Sequence, residues 1–127
     1  MLNPYTNAAN DADFKAQMTL WSIARSPLIY GADIRSPKLT ADDFALLTNK
    51  GMLMVNENST DNHPIKVADP TRTANTVIWT GSGAAGTNAA GMTFVAFIKR
   101  AQVATTATVS FEELGMKPGT VCLMISL

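Results

Sequence analysis

The feature that most constrains this chain is the run Pro27-Leu28-Ile29-Tyr30-Gly31, an apolar stretch with no polar alternation, set between two helical patterns. A strand that does not alternate reads as buried on both faces, which is the habit of parallel sheets. Parallel strands need neighbours, because a buried strand without them leaves its N–H and C=O groups unpaired. The helical pattern before it covers residues 14–25, with Phe14, Met18 and Trp21 on one stripe widened by Leu20, Ile23 and Ala24. Asp11 or Asp13 is placed to cap that helix, and Pro27 ends it. Thr40 caps a second helix over 41–48, with Asp42 and Asp43 at its positive end, and a third helical stretch covers 51–55. One strand with its helices cannot close a core. A (β/α)8 barrel takes about 250 residues, so only its last unit fits within residues 1–56.

After Asn56 the texture changes. Residues 56–64 read as a polar linker, followed by short β-type runs at 76–80, 92–99, 107–111 and 120–125. Glycine-rich turns at 81–91 and 115–119 separate them. The expected fold class is therefore α/β plus all-β. Residues 1–56 form an incomplete α/β part, and residues 57–127 form an antiparallel β part. The stripe of residues 14, 18 and 21 and the strand at 28–30 are expected to lie exposed for want of barrel strands, making the isolated chain prone to associate.

Composition narrows the function classes. The 127 residues are 46% hydrophobic and 16% charged, which is globular rather than disordered. Ten basic and ten acidic residues cancel, so no basic footprint for nucleic acid exists. No apolar run reaches the length of a membrane span, and residues 1–13 carry no apolar signal core. The lone Cys122 excludes an internal disulfide and lies in an apolar run, where a buried inert thiol is expected. With one histidine, His63, no zinc-ligand spacing is formed; no metal and no cofactor are expected.

Two stretches carry a family resemblance. Met18 through Arg35 contains Leu20-Trp21, Ser26-Pro27-Leu28, Gly31, Asp33 and Arg35 in order, and Leu46-Leu47-Thr48-Asn49-Lys50 is followed by Val55-Asn56. This resembles the last barrel segment of the α-galactosidases of glycoside hydrolase family 27. Val77-Ile78-Trp79 and Phe94-Val95-Ala96-Phe97 are similar, more loosely, to that family's C-terminal β-sandwich. The resemblance implies the end of a (β/α)8 barrel followed by a partial antiparallel β-sandwich, in a chain truncated at both ends. It also implies a retaining hydrolase acting on terminal α-D-galactosyl or β-L-arabinopyranosyl groups of galactosides and related oligosaccharides. The implied site is secreted, vacuolar or lysosomal, and a homo-oligomer is compatible with it.

A retaining glycosidase needs two carboxyl groups about 5–5.5 Å apart. The family carries them on earlier barrel strands, in a region upstream of the matched residues. Within this chain the acids on offer are the adjacent pairs Asp11/Asp13, Asp42/Asp43 and Glu112/Glu113, all better read as caps, helix starts and solvated faces. No catalytic residue is assigned, and the chain alone is expected to be inactive. The alternative is a non-catalytic carbohydrate-binding or structural β-module, which would need exposed aromatics. Trp79, Phe94, Phe97 and Phe111 read instead as core. Gly81, Gly83 and Gly86 spell G-x-G-x-x-G after a strand, but neither the helix nor the downstream acid of a dinucleotide site follows. Asn58-Ser59-Thr60 is an N-glycosylation sequon in the polar stretch, usable if the protein is secreted.

Overall fold

The structure is a computed structural model that describes Leu2 and residues 11–73, 75–100 and 106–117. It has a mixed α/β fold. Helices α1 (Asp11–Ile23), α2 (Ala41–Leu47) and α3 (Lys50–Asn58) precede strands β1 (Ser59–Ile65), β2 (Thr76–Gly83) and β3 (Thr93–Lys99). The strands form an antiparallel sheet in the order β1-β2-β3.

The helices form where the sequence places them. Thr40 caps α2: its hydroxyl accepts from the Asp43 N–H at 3.1 Å, and Asp43 accepts from the Thr40 N–H at 2.9 Å, a closed capping box. Asn49 caps α3 by accepting from the Met52 N–H at 3.1 Å. α1 begins at Asp11 rather than at Phe14, so Asp11 and Asp13 stand inside its first turn instead of preceding it. Asp13 there complements the helix dipole.

The main buried cluster lies in the helical half, while Val67, Ile78, Ala89 and Ala96 are buried in the β half. Leu2, Phe14, Met18, Leu46 and Met52 are each at most 7% exposed and pack together, with Trp21, Leu28, Tyr30, Leu47 and Leu53 against them. Each such side chain contributes about 1.5–3 kcal/mol by burial. The expected exposed stripe is thus corrected. Phe14 and Met18 are covered by α2, α3 and Leu2 of the same chain, and only Ile29, 59% exposed, stands open on the strand.

The expected strand at 27–31 is present only as a parallel bridge between Leu2 and Tyr30. The Leu2 N–H donates to the Ile29 carbonyl at 2.7 Å, and the Gly31 N–H donates to the Leu2 carbonyl at 2.9 Å. Leu2 and Tyr30, on either side of α1 in sequence, are thus parallel neighbours joined by a single bridge. On the other side the Ile29 N–H, next in line to extend the ladder, donates instead to the Pro27 carbonyl at 3.1 Å.

The polar stretch 56–64 is a second correction. It is the end of α3 and all but the last residue of β1. Tertiary hydrogen bonds override its linker-like composition. The Ser59 hydroxyl donates to the Val55 carbonyl, and the Asn62 amide donates to the Ile23 carbonyl at 2.6 Å. β1 carries a bulge between Thr60 and His63, with Asp61 at φ 54°. β2 runs on through Gly83, three residues past the expected end, because Gly81 and Ser82 pair with β3 and Ser82 and Gly83 pair with β1. The expected strand at 107–111 does not form a ladder among the described residues. Its end is drawn into a turn in which Ser110 and Glu113 bond each other reciprocally. The expected strand at 120–125, with Cys122, lies outside the described residues.

Candidate functional site

Among the described side chains the carboxylates do not assemble a catalytic pair. Asp43 is buried at 9% exposure and spends its oxygens on the Thr40 N–H and hydroxyl, while Asp42 beside it faces solvent. Asp13 is exposed on the first turn of α1. Glu112 is exposed, whereas Glu113 is held by several donors. The Ser110 N–H at 2.8 Å and the Ser110 hydroxyl at 2.9 Å reach one oxygen. The Ala68 N–H and the Arg72 guanidinium, at 3.4 and 3.2 Å, reach the other. These bonds, the Ser110 N–H foremost, outweigh mild desolvation and lower its pKa from 4.5 to about 2. A carboxylate held that low cannot serve as the proton donor of a glycosidase, which must stay protonated near neutrality.

The remaining polar groups are equally committed. Asp33 accepts from the Arg35 N–H at 2.9 Å and from its guanidinium at 3.2 Å, which lowers the Asp33 pKa. His63 lies at the bulge with its Nδ1 2.8 Å from the Asp61 carbonyl, and both residues are more than half exposed. Among the described residues no group of three His, Cys, Asp or Glu side chains converges as a metal site.

The glycine-rich motif is structural. Gly81 and Gly83 lie within β2, and turns rather than a helix lead from Gly86 to β3. A Cβ on Gly83 would sit 1.6 Å from the Ala89 carbonyl oxygen, so the glycine admits the close passage of the β2–β3 connection. The sequon residue Asn58 ends α3, and its amide donates to Asn88 at 3.1 Å. The aromatics expected in the core are not there: Phe97 and Phe111 are 51% and 48% exposed, and Trp79 and Phe94 are half-buried. Neighbours on a strand face opposite ways. Phe97 pairs with Ile78, whereas Trp79 pairs with Ala96. Phe97 therefore projects from one face of the sheet, and Trp79 and Phe94 from the other.

Recesses lie among the described residues. One, lined by Phe14, Lys15, Asp42, Asp43 and Leu46, has a volume of about 10 Å³, room for a single water. The other is an open apolar recess of about 320 Å³ between Trp21, Ser26, Pro27 and Ile29.

What the structure does bring together are the two stretches that carry the family resemblance. The Asn56 amide donates to the Trp21 and Ser26 carbonyls at 3.3 and 3.0 Å. In return the Arg25 guanidinium donates to the Asn56 and Glu57 carbonyls at 3.1 and 3.4 Å. Each helix end thus supplies donors to carbonyls at the other, beside the local bond that the Trp21 carbonyl accepts from the Ser26 N–H. Arg25 takes φ 54° to do so. Sequence reasoning missed this clasp, and the sequence offers only the Val55-Asn56 pair as a hint of it. Asn62 was hidden in the same polar stretch. Comparison with family models, with curated proteins and with solved structures finds no match to this chain.

Proposed function

We propose that this chain is the C-terminal part of a retaining glycoside hydrolase resembling the family 27 α-galactosidases. In this reading it supplies the last βα unit of a (β/α)8 barrel and the start of an antiparallel β-domain. The whole enzyme would cleave terminal α-D-galactosyl or β-L-arabinopyranosyl bonds, with its two carboxylates on barrel strands upstream of the matched residues.

The observation that carries the reading is the one-sided cover of the Leu2/Tyr30 parallel pair. Leu2, Leu28 and Tyr30 face the core made with α1, α2 and α3, while Ile29, on the other face, is exposed. Helices on one side only fit a barrel, whose strands turn their other face inward. A doubly wound sheet carries helices on both faces. The clasp between Arg25 and Asn56 adds support, since it joins the two stretches on which the resemblance rests. A carbohydrate-binding β-module is less supported, because the aromatics divide between the two faces and make no platform.

The test is complementation. The chain alone is assayed on p-nitrophenyl α-D-galactopyranoside and β-L-arabinopyranoside, then with a family 27 enzyme truncated before its own last barrel unit. The reading expects no hydrolysis by either part and recovered hydrolysis by the mixture. Hydrolysis by the chain alone would overturn it, as would a mixture that stays inactive although the two parts co-purify.

A further inference from the structure

The two edges of the sheet are built differently. β1 is a guarded edge: it carries the bulge at Asp61 and Asn62, Pro64 within the strand, and the exposed polar side chains of Asp61 and His63. Bulges, prolines and charges are the devices that stop another strand from pairing. β3, at the other edge, has neither bulge nor proline, and its one charge, Lys99, stands at the end of the strand. It reads Thr-Phe-Val-Ala-Phe-Ile-Lys and pairs with β2 without a register break.

Hydrogen-bond parity shows which groups of β3 point outward. The Gly83 N–H donates to the Met92 carbonyl and the Arg100 N–H to the Asn75 carbonyl. Even-numbered residues of β3 therefore bond inward to β2, since bonded pairs alternate along an antiparallel ladder. Thr93, Val95, Phe97 and Lys99 direct their N–H and C=O groups to the open edge. Among the described residues those groups have no hydrogen-bond partner.

We propose that this edge pairs with β3 of a second copy, antiparallel about a twofold axis at Ala96, joining two sheets into one of six strands. The choice of a second copy comes from the sequence of the strand, which is self-complementary about Ala96. In that register Val95 meets Phe97, Phe94 meets Ile98, and Thr93 meets Lys99. Aromatic and β-branched side chains are favourable cross-strand partners on both faces, and no like charges oppose each other. The outward parity also matches: Val95 with Phe97 and Thr93 with Lys99 are the pairs that would exchange backbone bonds, and the two Ala96 residues would form the close, non-bonded pair. A C2 contact of this kind closes on itself. The inference is independent of the glycosidase reading.

The test is sedimentation velocity of the full chain over a wide concentration range. Wild type is expected to run as a dimer. Val95→Pro is expected to run as a monomer, because its N–H faces the open edge and proline is tolerated there. Phe97→Lys alters an exposed side chain and gives the same loss should Val95→Pro fail to fold by circular dichroism. Ala96→Cys in a Cys122→Ser background is expected to form a disulfide dimer on mild oxidation. A monomeric wild type overturns the proposal. So does association that survives Phe97→Lys and Val95→Pro but is lost in Ile29→Glu, which would place the interface on the open face of the Leu2/Tyr30 pair.

Discussion

Replacing Asn56 tests the joint between the helices most directly. Its amide is the donor for the Trp21 and Ser26 carbonyls, both at the C-terminal end of α1. A neutral hydrogen bond contributes about 0.5–1.5 kcal/mol net, so Asn56→Ala should cost about 1–3 kcal/mol. Asn56→Asp keeps the shape but has no donor at neutral pH. It would aim a carboxylate at two carbonyls at the negative end of a helix dipole, so its cost should exceed that of Asn56→Ala. Urea unfolding followed by circular dichroism gives both values. Arg25→Ala closes a double-mutant cycle, and because Arg25 and Asn56 hold the same two chain ends, a coupling of at least about 0.5 kcal/mol is expected. An Asn56→Ala variant within about 0.5 kcal/mol of wild type, or an Asp variant more stable than the Ala variant, would refute the reasoning.

Other outcomes follow from the same geometry. Met18→Ala, at a position 1% exposed, should cost about 2–5 kcal/mol in the same urea assay. Gly83→Ala should cost about 3 kcal/mol or more, because its Cβ would meet the Ala89 backbone. Gly86→Ala, with φ +79° but nothing within 4 Å, should cost only about 1–2 kcal/mol. Equal losses for the two glycine variants would contradict the contact. Glu113 has a folded pKa below its unfolded one, so its stabilisation is fully present above about pH 4.5 and is lost as pH falls toward about 2. Glu113→Gln should therefore lower the thermal midpoint at neutral pH and flatten the decline between those values. Identical profiles for the two proteins would show that the Ser110 and Arg72 contacts are not kept in solution.

Much of the helical half was legible because its signals are local. The stripe of Phe14, Met18 and Trp21, the capping box of Thr40 with Asp43, and the breaker Pro27 each act within a turn or two of chain. β2 and β3 were legible at their centres for the same reason, from Val77-Ile78-Trp79 and from Phe94 to Ile98. β1 was not: Ser-Thr-Asp-Asn-His-Pro-Ile has little strand propensity, and the strand exists because Asn62 reaches Ile23 and β2 offers a ladder. The exposure of Phe97 was hidden too: its partner Ile78 on the same face is buried, so it is the edge position of β3, which strand pattern does not reveal, that leaves Phe97 open. The commitment of Glu113 depends on Ala68 and Arg72, more than forty residues away.

The clasp at Arg25 and Asn56 also sets a timetable for synthesis. The 31-residue separation between them takes roughly two to six seconds to emerge at about 5–20 residues per second. Through that interval the Trp21 carbonyl keeps only its local bond from the Ser26 N–H, the Ser26 carbonyl is left to water, and the end of α1 that will later bear the sheet stays unclasped. The nascent helix is thus longest-lived as an open, apolar surface on the ribosome, and a chaperone that reads such surfaces would meet this chain before Asn56 arrives to close it.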